Sequence, residues 1–162
     1  DINQPIVLVT PEGREQETIT RLARVGYDNT LGYLAGSMQS WIDAGFETAA
    51  IGRITATELE TLMNNGEESV IDVRKPGEYN SAHIANVPNL PLDFINEHVA
   101  DFPSKKTTYL HCAGGYRSMI AASILKARGF HNMIDVIGGF GQIKNTGLPM
   151  FTQECTSTCS TK

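Results

Sequence analysis

A predicted strand, a glycine-containing loop and a predicted helix follow one another without a break between Thr107 and Gly129. Thr107–His111 is predicted to be a short strand, and Ser118–Arg128 is predicted to be a helix that Gly129 ends. The loop therefore joins the carboxyl end of a strand to the amino end of a helix. Units of this kind build parallel α/β sheets, in which ligands bind beyond the carboxyl ends of the strands.

The loop carries a candidate nucleophile, Cys112, at its start. Its unpaired backbone N–H groups and the positive end of the helix dipole favour a thiolate there near neutral pH. Glycines allow unusual dihedral angles and leave room for a substrate atom, and Arg117 supplies a fixed positive charge. The expected substrate-binding residues are the rest of the loop: Ala113, Gly114, Gly115, Tyr116, Arg117 and Ser118.

Together with two upstream motifs, this loop resembles that of the rhodanese, or sulfurtransferase, family. The upstream motifs are Val70-Ile71-Asp72-Val73-Arg74-Lys75-Pro76-Gly77-Glu78-Tyr79 and Ala82-His83-Ile84-Ala85-Asn86-Val87-Pro88. They are similar to the family's D-V-R, E-Y, G-H-I and N-I-P elements, in the same order. Ala82 and Asn86 stand where the family has glycine, and asparagine tolerates the left-handed conformation. The resemblance implies a parallel sheet with helices on both faces.

The resemblance also implies an activity. The Cys112 thiolate is expected to take a sulfur atom from thiosulfate or a thiol persulfide and to pass it from a cysteine persulfide to an acceptor. Small-molecule sulfur donors and acceptors are the expected partners. Supporting residues are expected to brace the loop rather than react: Asp72, Arg74, Glu78 and His83. His111 is expected to be packed in the core, although its position beside the cysteine leaves a role as a base open.

Two segments of the chain look alike at an offset of about 100 residues. The first begins at Pro5 and the second at Thr107, and each contains a strand, a helix, a second strand and a final helix. Where the second segment has its cysteine, the first has Val9-Thr10-Pro11-Glu12-Gly13-Arg14. We therefore interpret residues 1–48 as an inactive rhodanese-like half-domain, residues 54–149 as a complete domain and residues 150–162 as a flexible tail.

A half-domain followed by a complete rhodanese domain resembles the carboxyl-terminal part of fusions with a metallo-β-lactamase-fold persulfide dioxygenase. The resemblance implies a missing domain with non-haem iron and no cofactor in the present chain. The first residue, Asp1, agrees with a fragment or processed product. A homodimer is an alternative in which a second chain covers the exposed sheet edge of the half-domain.

Composition excludes several other classes. The chain has 162 residues and a net charge of −5 without a basic run, which disfavours nucleic-acid binding. The sequence contains no apolar stretch of membrane-spanning length and no signal peptide, and three cysteines are too few for a disulfide framework. A reducing cytoplasm is expected. The Ser/Thr-rich segment around Cys155 and Cys159 favours a flexible tail over a disulfide or metal site.

Two alternatives remain for the cysteine loop. Cysteine phosphatases and arsenate reductases share the fold, but their loop between cysteine and arginine is longer. Here four residues separate Cys112 from Arg117, and the tighter ring suits a single sulfur atom. The second alternative is a non-catalytic module that regulates a larger persulfide dioxygenase. In the remaining sequence, a helix is predicted to start at a Thr55–Glu58 capping box and another to be capped by Asp93 and to extend through Val99.

Overall fold

The computed structural model describes residues 1–66 and 69–153. By their internal contacts, residues fall into two units, Asp1–Ala50 and Ile51–Lys162. The strands of the described residues are β1 Ile6–Leu8, β2 Thr30–Tyr33, β3 Gly52–Ile54, β4 Ser69–Asp72, β5 Ala82–Ile84, β6 Thr108–His111, β7 Met133–Val136 and β8 Met150–Thr152. The α-helices are α1 Glu15–Ala23, α2 Ser37–Asp43, α3 Ala56–Asn64, α4 Pro76–Ser81, α5 Tyr116–Ala127 and α6 Gly139–Ile143.

The first unit contains a strand, a helix, a strand and a helix in sequence, and β1 and β2 pair in parallel. The second segment of the predicted repeat has the same order, with β6 and β7 parallel. In the first unit, Arg14 forms an exposed ion pair with Glu17 at 2.8 Å. That residues 1–48 are an inactive rhodanese-like half-domain stays a prediction.

The second unit is built on a four-stranded parallel sheet with the order β3-β7-β6-β4. Side chains alternate along a strand, so each strand contributes to both faces. Ile71 and Leu110 belong to a cluster with α5, whereas Val70 and Tyr109 belong to one with α3 and α6. Helices therefore cover both faces, and the expected α/β fold is confirmed. Fully buried leucines such as Leu110 each contribute about 1.5–3 kcal/mol.

Local signals fixed several element ends as expected. Thr55 caps α3, because its side chain accepts a hydrogen bond from the Glu58 N–H at 3.2 Å while Glu58 accepts one from the Thr55 N–H at 2.7 Å. Gly129 follows α5 with a φ of +93°. Asn86 takes a φ of +64°, which agrees with the expectation that asparagine replaces glycine there without disruption.

Two expectations are wrong in part. The helix predicted from Asp93 to Val99 is instead two 3₁₀ turns, Leu92–Phe94 and Val99–Asp101. This short connection buries Ile95 and Phe102 in one core cluster, and that packing outweighs a helical pattern too short to be stable alone. Residues 150–152 of the predicted tail form β8, which pairs antiparallel with β5. Residues 154–162, with Cys155 and Cys159, lie outside the described residues.

Candidate active site

Cys112 lies directly after β6, at the carboxyl edge of the parallel sheet. It is a free cysteine and 1% exposed. Gly115, at the amino end of α5, has a φ of +99° and donates its N–H to Cys112 Sγ at 3.1 Å. A side chain at this φ would be strained, so glycine lets the chain turn and place the N–H against the sulfur.

The electrostatic surroundings favour the thiolate. Burial raises the pKa of the Cys112 thiol, but hydrogen bonds from the Ser118 hydroxyl and from the N–H groups of Ser118, Gly114 and Gly115 together outweigh it. The resulting pKa lies below the usual value of 9.0. The amino end of the twelve-residue helix α5 adds to this effect. The expectation of an activated thiol in a cradle of backbone N–H groups agrees with this geometry.

The turn after β7 holds the loop in shape. The Phe140 N–H donates to the Cys112 carbonyl at 2.6 Å, and the Gly141 N–H donates to the Ala113 carbonyl at 2.9 Å. Gly139 makes this contact feasible: a Cβ on it would lie 2.2 Å from the Cys112 carbonyl oxygen. Both loop carbonyls therefore point away from the sulfur and toward the turn, which leaves N–H groups around it.

Arg117 and Glu78 form a two-fold hydrogen-bonded ion pair. The Arg117 Nη1 and Nη2 atoms lie 2.6 and 2.8 Å from the two carboxylate oxygens of Glu78. The hydrogen bond from Arg117 is the main cause that holds the pKa of Glu78 below its usual value. This pair links α5 to α4 across the loop, so Arg117 can order the loop. Tyr116, in contrast, is 86% exposed.

A second ion pair lies at the end of β4. The buried Arg74 guanidinium donates from Nε and Nη2 to Asp72, at distances of 2.6–3.0 Å, and from Nη2 to the Ala82 carbonyl at 2.7 Å. It also lies 3.9 Å from the centre of the Phe140 ring. These contacts join the end of β4 to α6, the helix that contains Phe140.

Among the hydrogen bonds of the described residues, neither His111 nor His83 is a partner of Cys112 Sγ. His111 is fully buried, and burial is the main cause that lowers its pKa. Its Nε2 atom lies 3.8 Å from Asp72 Oδ2. His83 Nδ1 lies 2.8 Å from the Tyr79 carbonyl, and its ring stacks on Tyr79 at 3.7 Å. These contacts agree with packing roles, and a packing role for each histidine stays a prediction.

Asp135 and Arg53 belong to the site although the sequence analysis passed over them. The fully buried Asp135 on β7 accepts a hydrogen bond from the Ser118 hydroxyl at 2.6 Å. Arg53, its register partner on β3, donates from Nε to the other carboxylate oxygen at 3.1 Å. A lone charged residue inside the apolar strand Met133–Val136 was the available signal, since a buried charge needs a partner.

A groove of about 520 Å³ opens beside the loop. It is lined mostly by apolar atoms and receives one charged side chain. Its lining residues are Arg53, Gly114, Gly115, Tyr116, Met119 and Ile120. A larger cavity, of about 670 Å³, is lined by Ser69 and Lys106 at the opposite, amino ends of β4 and β6, and does not include Cys112. The smaller groove borders the cysteine loop at Gly114 and Gly115, although Cys112 itself is not among its lining residues.

In residues 1–66 and 69–153 there is no group of three or more histidine, cysteine, aspartate or glutamate residues arranged to hold a metal ion. The part of the chain that the structure describes contains no helix with the length and apolar character needed to cross a membrane. The non-haem iron implied by the fusion proteins thus has no fitting residues in this part of the chain.

The family model for the rhodanese-like domain matches residues 55–146, which include the loop, both ion pairs and Asp135. The chain belongs to the rhodanese-like domain family. This match agrees with the cradle of N–H groups around a cysteine at the carboxyl edge of the sheet.

Similar proteins extend the comparison. An uncharacterized protein, YqhL of Bacillus subtilis, is 33% identical over 94 residues, which cover 56% of this chain and 75% of YqhL. A probable adenylyltransferase/sulfurtransferase, MoeZ of Mycobacterium tuberculosis, is 33% identical over 100 residues, 60% of this chain but 26% of MoeZ. The crystal structure of a rhodanese-related protein from Thermoplasma volcanium has a TM-score of 0.56 and 31% identity over 63% of this chain and 99% of its own.

Proposed function

We propose that this rhodanese-like domain is a sulfurtransferase that works through a persulfide on Cys112. In the first step, the thiolate attacks the outer sulfur of thiosulfate or of a thiol persulfide. A bond forms between Cys112 Sγ and that sulfur, and the donor's S–S bond breaks. Sulfite or a thiolate leaves with the bonding electron pair. The N–H groups that surround Cys112 then hold the anionic outer sulfur, as an oxyanion hole holds oxygen.

In the second step, a thiolate, sulfite or cyanide attacks the outer sulfur of the persulfide. The new bond forms as the Cys112 S–S bond breaks, and the cysteine is returned as a thiolate. We expect the acceptor to approach from the apolar groove that borders the loop at Gly114 and Gly115. Reaction in two half-steps predicts ping-pong kinetics.

The observation that carries the proposal is the hydrogen bond from the Gly115 N–H to Cys112 Sγ at 3.1 Å in a loop whose carbonyls are tied to the next turn. Four residues between Cys112 and Arg117 form a small ring that suits one sulfur atom. Arg117 also has both terminal nitrogens engaged by Glu78. An arginine held in this way is poorly placed to clamp a tetrahedral oxyanion, which disfavours the phosphatase alternative.

Intact-protein mass spectrometry after brief exposure to thiosulfate, and separately to glutathione persulfide, tests the proposal. One added sulfur atom is expected, and cyanide should remove it. A Cys112→Ser variant is the control, because the substitution keeps the loop's N–H groups and nearly the side-chain size. It should gain no sulfur, while Cys155→Ser/Cys159→Ser should gain it as the unsubstituted chain does.

Absence of added sulfur from both donors would reject the proposal and favour a non-catalytic module.

For the partner of this domain, we propose a metallo-β-lactamase-fold persulfide dioxygenase domain, with the non-haem iron in that domain. Such a partner would consume the thiol persulfide that this domain forms or uses. Co-elution of the two purified domains tests this pairing, and separate elution under all donor conditions would argue against it.

A further inference from the structure

The Ser118 hydroxyl lies between two groups that compete for its hydrogen. Its oxygen is 2.6 Å from Asp135 Oδ1 and 3.5 Å from Cys112 Sγ. Ser118 and Asp135 are fully buried and Cys112 is 1% exposed, so water does not stand in for a missing partner at the hydroxyl. A hydroxyl has one hydrogen and can donate it to one of the two groups at a time.

Each orientation favours a different charge state of the cysteine. With its hydrogen on Asp135, Ser118 turns a lone pair toward the sulfur, which accepts a hydrogen bond from a thiol and repels a thiolate. With its hydrogen on the sulfur, Ser118 stabilises the thiolate. Two oxygen atoms, of Ser118 and Asp135, then face each other at 2.6 Å without a hydrogen between them, which is unfavourable.

We propose that Asp135 is a positioning residue that competes with Cys112 for the Ser118 hydrogen and so opposes formation of the thiolate. When the thiolate forms, the thiol proton leaves the site, and Ser118 can donate to the sulfur only by giving up its hydrogen bond to Asp135. The Asp135 carboxylate thereby limits how far the loop stabilises the thiolate.

Charged groups on the neighbouring elements set the balance. On β3, Arg53 donates to Asp135 Oδ2 at 3.1 Å and favours the carboxylate. On α5, Arg117 favours the thiolate through its charge, which Glu78 on α4 partly offsets.

On the side of β4 and β6, the remaining groups are a buried pair and a histidine. Asp72 is tied to Arg74, and burial favours the neutral form of His111 by lowering its pKa. Asp135 is therefore the carboxylate that a hydrogen-bonded path connects to the sulfur.

The test reads the thiolate directly by its ultraviolet absorbance as the pH is raised. A Cys155→Ser/Cys159→Ser background leaves Cys112 as the single cysteine of the three. In this background Asp135→Asn is compared with Ser118→Ala, with the double variant, and with Asp93→Asn. Asp93 is a half-exposed carboxylate paired with Lys75, and its substitution controls for loss of one charge at the surface.

Asp135→Asn is expected to lower the thiolate pKa by about one unit, because asparagine keeps the shape, donates an N–H to Ser118 and carries no charge. Alkylation below both pKa values should become about three times faster, since the tenfold gain in thiolate is partly offset by weaker nucleophilicity. In the Ser118→Ala background the same substitution should shift the pKa far less. Asp93→Asn should leave it unchanged.

An unchanged or raised pKa in Asp135→Asn would overturn the proposal, and so would equal shifts with and without the Ser118 hydroxyl. Should Asp135→Asn fail to fold, carbon-13 NMR of labelled aspartate in the background chain decides. The Asp135 carboxyl signal should shift over the pH range in which the thiolate forms, because the carboxylate then loses its hydrogen bond from Ser118, and a flat signal would reject the competition. The competition for the Ser118 hydrogen rests on the proposed function only where it is applied to sulfur transfer. None of these measurements requires a sulfur donor, so this inference and the proposed function can fail separately.

Discussion

Arg117 donates two hydrogen bonds, of 2.6 and 2.8 Å, to the two carboxylate oxygens of Glu78 and so connects the amino end of α5 to α4. The pair lies beside the cysteine loop, with both side chains partly exposed. Glu78 also accepts a hydrogen bond from the Lys75 N–H at 3.2 Å and thus caps its own helix. One carboxylate therefore supports the loop and the start of α4.

Glu78→Gln is expected to lower the free energy of unfolding by about 1 kcal/mol, since one strong two-fold contact between partly exposed groups is weakened. The pKa of Glu78 lies below its ordinary value of 4.5 in the folded chain. Its contribution is present at neutral pH and is lost as the pH falls through that lowered pKa. Denaturant unfolding should show a difference in the free energy of unfolding between the wild type and Glu78→Gln at neutral pH, and this difference should disappear in acid.

The matched control for Glu78 is Glu17→Gln, which breaks exposed ion pairs with Arg14 and Arg21 in the first unit. It should cost a few tenths of a kcal/mol and leave sulfur transfer unchanged. A difference between wild type and Glu78→Gln that persisted below the lowered pKa would show that the lost contact is not ionic.

Gly139→Ala is expected to displace the cysteine loop. Its new Cβ would lie 2.2 Å from the Cys112 carbonyl oxygen, and the atoms that it would meet belong to the backbone of Cys112 and Ala113, so no flexible side chain can give way. We expect a loss of more than 2 kcal/mol in stability and a much larger fall in the rate of persulfide formation. Thermal unfolding and single-turnover mass spectrometry would measure the two effects.

Gly129→Ala is the control that separates the cost of a positive φ from the steric clash expected of Gly139→Ala. Gly129 also has a positive φ, +93°, but a Cβ there would meet no atom within 4 Å. Its cost should be about 1 kcal/mol, with sulfur transfer retained. Equal effects of the two substitutions would mean that backbone conformation, rather than the approach to the Cys112 carbonyl, explains the need for glycine at 139.

His111 is expected to make the domain sensitive to mild acid. Burial lowers its pKa below the ordinary value of 6.5, so the unfolded chain binds a proton at a pH where the folded chain does not. Stability should therefore fall as the pH decreases from about 6.5 toward the lowered pKa. His111→Leu removes the titrating group, and melting curves across this range should show a flatter pH dependence. An identical slope in both proteins would assign the acid sensitivity elsewhere.

Asp72→Asn is expected to destabilise the domain by about 3–5 kcal/mol, because it leaves the buried Arg74 charge without its partner. The side chains of Arg74 and Asp72 are 5% and 0% exposed. Asp93→Asn breaks the exposed contact with Lys75 and should cost less than about 1 kcal/mol. Comparable losses in denaturant unfolding would contradict the assigned importance of the buried pair.

The sequence was sufficient for features that depend on neighbouring residues. The strand, loop and helix around Cys112 follow from apolar runs and glycines, and the Thr55–Glu58 cap follows from two residues three apart. Asp135 was missed because its role depends on β7 lying between β3 and β6, which brings Arg53 and Ser118 to it. The pairing of β8 with β5 was missed for the same reason, since no local pattern specifies a partner distant in sequence.

The clamp between the Gly139 turn and the cysteine loop uses main-chain atoms alone: the Phe140 and Gly141 N–H groups and the Cys112 and Ala113 carbonyls. Side chains at 113 and 116 take no part in these bonds. This clamp therefore does not depend on the side chains at 113 and 116, and we expect Ala113 and Tyr116 to be exchangeable while the cradle for sulfur persists. Substitution at these two positions is then the expected way to change which donor or acceptor the domain prefers without rebuilding the nucleophile.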